Sequence, residues 1–211
     1  LNHYNKIVNQ RNKLLKDMYM NPDLKETLNI WDMQLQSFGS KIIERRRLFT
    51  EQLNEIIYDI HKKLSGDKEV LTIHYEPDCE MEDFETALKR NRERDIRMKI
   101  TSVGPHRDDF AFYIGDLDIR KFGSQGQQRT AALSLKLSEI ELVKKITKDT
   151  PVLLLDDVLS ELDSNRQNYL LNSIGDIQTI ITCTGLDDFV NNHFEINKVY
   201  KVTDGMVSSD L

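Results

Sequence analysis

The sequence has 211 residues, 39% apolar and 30% charged, with a net charge of -6. That length holds one or two domains with their own core, and the composition is that of a globular chain with a charge-laced helical part. The acidic balance excludes a uniformly basic DNA-coating protein but leaves room for a local basic patch.

Residues 1–64 lack strand alternation and hold one proline, Pro22. Their spacing predicts a helix over His3–Met20, ended by Asn21-Pro22-Asp23, and a second over Leu24–Leu64. In the second, Leu28, Trp31, Leu35, Phe38, Ile42, Phe49, Leu53, Ile56 and Ile60 recur mostly at three, four or seven residues. That is one apolar stripe, interrupted by Gly39, and it fits an arm or a short coiled-coil hairpin. Ser65-Gly66-Asp67 reads as its closing turn. Val70–Tyr75 then alternates as a strand, and Asp83–Arg94 reads as a short charged helix. Phe110–Ile114 and Leu117–Phe122 flank Gly115-Asp116, which predicts a two-residue hairpin.

From Gly123 the pattern is α/β. A helix is expected over Gln127–Ile146, a buried strand over Pro151–Asp156, a helix over Asn165–Ile174 and another buried strand over Thr179–Thr182. Lys198–Val202 and Met206–Val207 read as a final hairpin around Asp204-Gly205. The domain division expected is 1–97, a helical arm, and 98–211, an α/β head.

The longest aliphatic run, Val152–Leu155, is far too short to span a bilayer, and the N-terminus has no secretory pattern. Cys79 and Cys183 fit no metal motif. These features predict reduced thiols, a cytoplasmic location and no membrane partner. The chain opens at Leu1, directly in a helical pattern, which predicts a fragment of something longer.

Val152-Leu-Leu-Leu-Asp-Asp157 is the strongest chemical signal. An apolar strand that ends in two acids sets carboxylates at the edge of a parallel sheet where ligands bind. In a nucleotide site Asp156 would hold Mg²⁺ through water and Asp157 would orient or deprotonate the attacking water. The plainer alternative is a strand running into an acidic turn. In Leu159-Ser-Glu-Leu-Asp163, Ser160 and Asp163 have the spacing of an interface loop of ABC ATPases, while Asp163 or Ser164 also suits a helix N-cap.

Gly123-Ser-Gln-Gly-Gln-Gln-Arg-Thr130 precedes a helix. Glycines let the backbone approach an anion, and exposed N–H groups with the helix dipole favour phosphate there. It is no Walker A loop, because no Lys follows the glycine, and no Gly-x-x-x-x-Gly-Lys-Ser/Thr occurs anywhere. Gly104-Pro-His-Arg-Asp-Asp109 is a polar turn. His106 and Arg107 are candidates for a lobe junction near nucleotide or DNA, or Arg107 simply pairs with Asp108 or Asp109. Arg45 and Arg46 on the arm, with Arg90 and Arg92 on the charged helix, are candidate phosphate contacts or a solvated face.

Phe122–Thr130, Leu153–Asp163 and Gly104–Asp109, with Gln10–Leu15 and Ile30-Trp-Asp32, resemble the RecF family of ABC-type DNA-repair ATPases. The resemblance covers essentially the whole chain. It implies an α/β fold, the C-terminal part of an ABC-type ATPase sheet with a helical arm. Ser124, Gln125, Gly126 and Gln127 would then meet the γ-phosphate of ATP on a second copy. Relative to the general Leu-Ser-Gly-Gly-Gln pattern, Gly123 replaces Leu and Gln125 the first Gly. Asp157 stands where most ABC proteins have Glu, which implies slow hydrolysis. No switch histidine follows Thr179–Thr182, which leaves Thr182 or Thr184 as the γ-phosphate sensor. The resemblance further implies ATP-driven homodimerisation, binding at single-strand/double-strand DNA gaps, RecR and RecO as partners in recombinase loading, and a place in the SOS response. Without a P-loop, this chain alone is expected to be inactive. The alternatives are a non-catalytic interaction module and the head of an SMC-like chromosome ATPase.

Overall fold

The computed structural model describes residues 1–159, 162–184 and 197–210. The chain divides into two compact units, Leu1–Leu142 and Val143–Leu211. The 97/98 division read from the sequence falls inside the first unit, because strands on either side of it pair with each other.

In the first unit, α1 (Asn2–Asp17) is followed by a 3₁₀ turn over Pro22–Thr27 and by α2 (Leu28–Leu64), 37 residues long. The expected helical start at Leu24 is therefore corrected: Pro22 opens a tighter turn, and α-helical geometry begins only at Leu28. β1 (Leu71–Glu76), α3 (Phe84–Met98), β2 (Asp109–Ile114) and β3 (Leu117–Asp118) follow. The three strands form an antiparallel sheet in the order β1-β2-β3, with Ile73 opposite Phe112 and Tyr113 opposite Asp118. The hairpin is present, but its second arm is two residues long, not six. Asp118 accepts a hydrogen bond from the Arg120 backbone N–H and starts a helical turn, α4 (Ile119–Phe122).

Three apolar clusters hold this unit, the smallest made by Leu15, Met18 and Leu28. Tyr4, Leu35, Ile43, Phe84, Leu88 and Val103 join α1, α2 and α3, while Leu53, Ile57, Ile73, Ile119 and Ala131 seat the sheet on α2. The glycine that interrupts the α2 stripe has a packing cause. A Cβ on Gly39 would lie 2.3 Å from the Phe84 ring, so only glycine lets α3 approach so closely. Beneath this, fully buried Arg11 donates to Asp32 (2.8 Å), Asp95 (2.7 Å) and Thr101 (3.0 Å) and so ties α1 to α2 and α3. Helix α5 (Gln125–Thr147) begins two residues before the expected start and reaches past the first unit's boundary.

In the second unit, β4 (Leu153–Asp156) pairs in parallel with β5 (Thr179–Thr182), with Asp156 opposite Thr182. Between them runs α6 (Ser164–Ser173), and β6 (Val199–Thr203) with β7 (Met206–Asp210) forms an antiparallel hairpin. Leu155, Leu170, Leu171, Ile174 and Ile177 are buried, whereas Leu154 and Ile180 on the two parallel strands are exposed. Among the described residues no helix is long and apolar enough to cross a membrane.

Candidate functional site

The Ser124–Gln127 segment, exposed at Ser124, Gln125 and Gly126 and half-buried at Gln127, forms the first turn of α5. The Ser124 N–H donates to the Gln127 Oε1 (2.9 Å), and the Gln127 N–H donates to the Ser124 Oγ (3.2 Å). This is a reciprocal cap, set by a Ser and a Gln three residues apart. Gly126 sits inside that turn, and a Cβ there would meet nothing nearer than the Ser124 Oγ at 3.9 Å. Among the described residues nothing therefore requires a glycine there, although glycine weakens a helix by about 1 kcal/mol against alanine. The open space is on the outside, where a ligand backbone or phosphate can come close.

A second tether was not evident from the sequence. The Gln127 Nε2 donates to the Glu69 Oε1 (2.8 Å), and the other Glu69 oxygen lies 3.7 Å from the Nε2 of buried His61. His61 in turn shares a 2.9 Å hydrogen bond between its Nδ1 and the Oγ of buried Ser134. The start of α5 is thus bound to the end of α2. The Ser-x-x-Gln spacing could have revealed the cap, but no local signal reveals Glu69.

At the end of β4 the two acids are exposed and adjacent. The Thr182 hydroxyl, on the parallel neighbour, donates to the Asp156 Oδ1 and accepts from the Asp157 N–H at 3.2 Å. The Asp157 N–H also reaches the Thr182 carbonyl (3.1 Å). One side chain therefore fixes both acids, and its only proton is committed to Asp156. Asp157 has φ 51°, a left-handed backbone uncommon outside glycine and better tolerated by Asp than by most residues. Asp163 caps α6, accepting from the backbone N–H groups of Asn165 and Arg166 (both 3.1 Å) and pairing with the Arg166 guanidinium (2.7 Å). Those N–H bonds, led by Arg166, hold its carboxyl below the usual range. Ser160 lies outside the described residues.

The Gly104–Asp109 turn is knitted into the first unit. The His106 Nε2 lies 3.0 Å from the Thr101 carbonyl, which fixes Nε2 as the protonated nitrogen. Nδ1 then accepts from the Tyr4 hydroxyl at 2.9 Å. Burial holds His106 below its ordinary pKa, so it stays neutral. Arg46 donates to the Pro105 carbonyl (2.5 Å) and to Asp108 (2.6 Å), which also accepts from the Tyr75 hydroxyl. Asp109 pairs with both Nη atoms of Arg120 at 2.8 Å. The expected pairing of Arg107 with Asp108 or Asp109 is therefore corrected: Arg46 and Arg120 hold those acids, and Arg107 points to solvent. Arg92 is likewise internal, donating to Asp32 (2.7 Å) and Asn29 (2.5 Å), whereas Arg45 and Arg90 are exposed.

No family model matches the chain. Curated relatives do. The DNA replication and repair protein RecF of Lachnospira eligens is 62% identical over 210 residues, 99% of this chain and 58% of that protein. RecF of Agathobacter rectalis is 60% identical over 207 residues, 98% of this chain and 57% of that protein. Among solved structures, the recombination mediator protein RecF with ATP in the RecFOR pathway is 35% identical, with a TM-score of 0.85 over 99% of this chain and 57% of that one. The corresponding ATPγS structure gives 0.83. In sequence and in fold the chain is RecF-like from end to end, and it spans 57 to 58% of the length of the RecF chains it matches.

Proposed function

We propose that this chain carries the acid-bearing and trans-acting halves of a composite ATP site, in a protein that works in DNA replication, repair and recombination. The observation that carries the reading is the end of β4, where Thr182 holds Asp156 and Asp157 together at the edge of a parallel pair. Two adjacent exposed carboxylates suit a hydrated divalent cation held through water, so the residues fit Mg²⁺. Bound Mg²⁺ would neutralise charge on the phosphates. Asp156 would keep that ion's water shell in place. Asp157 would orient the attacking water and take its proton.

The α5 turn supplies the other half. With Gly126 leaving room, the Ser124 hydroxyl and the free N–H groups of the first turn can meet the γ-phosphate of ATP on a second copy. ATP then joins two copies and hydrolysis releases them. Asp163 would face the partner while capping α6, and Thr184 would be the better sensor of the two threonines, since the Thr182 proton is committed to Asp156. The solved RecF structures, with ATP and ATPγS in the RecFOR pathway, support ATP as the nucleotide and RecR and RecO as the functional context. DNA at single-strand gaps is the substrate of the dimer.

The test mixes this chain with a RecF polypeptide that bears a P-loop and measures ATP hydrolysis. Activity should rise above background and fall at least about tenfold with Asp157→Asn. Activity that stays at background, or is indifferent to Asp157, sinks the reading.

A further inference from the structure

Helix α3 carries five basic residues between Lys89 and Arg97, and the fold sorts them into two classes. Its acids are all committed. Glu85 binds Lys89 (2.5 Å), Glu93 binds Lys25 (2.7 Å), and buried Asp95 binds Arg11 (2.7 Å) and the backbone of Ser102 (3.1 Å). Arg92 turns inward to Asp32. Arg90, Arg94 and Arg97 remain, all exposed, and among the described residues no carboxylate makes an ion pair with any of them.

These three are four and three residues apart, so on a helix they share one face within about 60° of arc. At about 1.5 Å of rise per residue they span about 10 Å of axis. A strand of duplex DNA presents a phosphate about every 3.4 Å along its axis, so about three such steps, four phosphates, lie alongside the row. The guanidinium fork suits a phosphate's paired oxygens. Buried Phe84, Leu88 and Asp95 lie on a different face of α3, which holds the row on a fixed element. The nearest acids in sequence without a basic partner on α3, Glu82 and Asp83, lie seven or more residues before Arg90, about 10 Å away along the axis. An uncompensated arginine row on a chain of net charge -6 calls for an anionic partner.

We infer that the Arg90–Arg94–Arg97 face binds the phosphate backbone of a DNA duplex, without reading its sequence. The inference rests on the DNA-binding part of the reading above and adds where on the chain the duplex lies. The contact is electrostatic, so it releases counterions and weakens steeply with salt.

The test measures fluorescence anisotropy of a labelled duplex of about 20 base pairs with the 211-residue chain over a salt series, with single-stranded DNA and duplex RNA of equal length alongside. Arg90→Ala, Arg94→Ala and Arg97→Ala should each weaken duplex binding about three- to tenfold and lower the salt slope by about one. The triple change to Glu should weaken it at least about a hundredfold, with thermal melting unchanged because the side chains are exposed. Unchanged duplex binding by the triple variant overturns the assignment while the DNA reading stands. No duplex binding by the unaltered chain at low salt overturns it too, and the Asp157-dependent ATPase assay then judges the ATP-site reading separately. A loss confined to single strands or to RNA overturns the choice of duplex DNA.

Discussion

Ser124 and Gln127 exchange two hydrogen bonds across the first turn of α5, at 2.9 and 3.2 Å, and Gln127 spends its remaining amide on Glu69 at 2.8 Å. The same side chain therefore shapes the loop and moors it to the end of α2. Gln127→Ala removes both ties and should lower stability by about 1 kcal/mol, the usual worth of a cap. Gln127→Glu keeps the acceptor for the Ser124 N–H but faces the Glu69 carboxylate with like charge. It should cost at least as much, and Glu69→Gln should restore it. Chemical denaturation of the four chains checks the pattern. If Gln127→Glu is as stable as the unaltered chain, Glu69 does not moor the loop.

Arg11 is fully buried between Asp32 and Asp95. Arg11→Met fills similar space but leaves buried Asp95 without its cation and Asp32 with Arg92 alone. The expected loss is about 3–5 kcal/mol, enough to unfold many domains of this size. Circular dichroism and a melting curve measure it. A folded variant within about 1 kcal/mol of the parent would show that Arg92 alone suffices for Asp32.

His106 supplies a pH signature. Burial lowers its folded pKa below the ordinary 6.5, so the unfolded chain takes up the proton first as pH falls. The stabilising contribution is complete above about 6.5, is lost as pH drops through that value, and levels off below the folded pKa. His106→Gln should therefore show a smaller fall in melting temperature between pH 7.5 and pH 5 than the parent, by roughly the histidine's share. Equal falls in both chains would remove His106 as the cause.

The two thiols should separate in reactivity. Burial, with Asp78 and Asp108 nearby, pushes the Cys79 thiol up to about 12, while Cys183 is exposed. Since the thiolate is the reacting form, alkylation near pH 8 should modify Cys183 at least about a hundredfold faster. Peptide mass mapping after a short iodoacetamide pulse decides it, and equal labelling would mean that the Cys79 site opens.

The features legible in the sequence are those whose partners are close along the chain. The period of three and four gave α2 and α5, alternation gave β1 and β2, and an apolar run ending in two acids placed Asp156 and Asp157 at the end of β4. A carboxylate just before a helix announced the Asp163 cap. Where two local signals competed, the sequence misled. Leu117–Phe122 alternates like a strand, but Asp118 bonds the N–H two residues ahead and curls the chain into α4.

Tertiary structure alone decided which charges are used up. Arg46 meets Asp108 at 62 positions' distance, Arg92 meets Asp32 at 60, and Gln127 meets Glu69 at 58. An arginine's sequence neighbours do not say whether its guanidinium will be buried against a carboxylate or left facing water, because the long side chain follows whichever acid the packed helices bring within reach. The sequence by itself determined most of the helices and strands and the two motifs, through short-range hydrogen bonding and periodic burial. Only the packing of α1, α2 and α3 decided that Arg46 and Arg92 are internal and that Arg90, Arg94 and Arg97 are the row left for a partner.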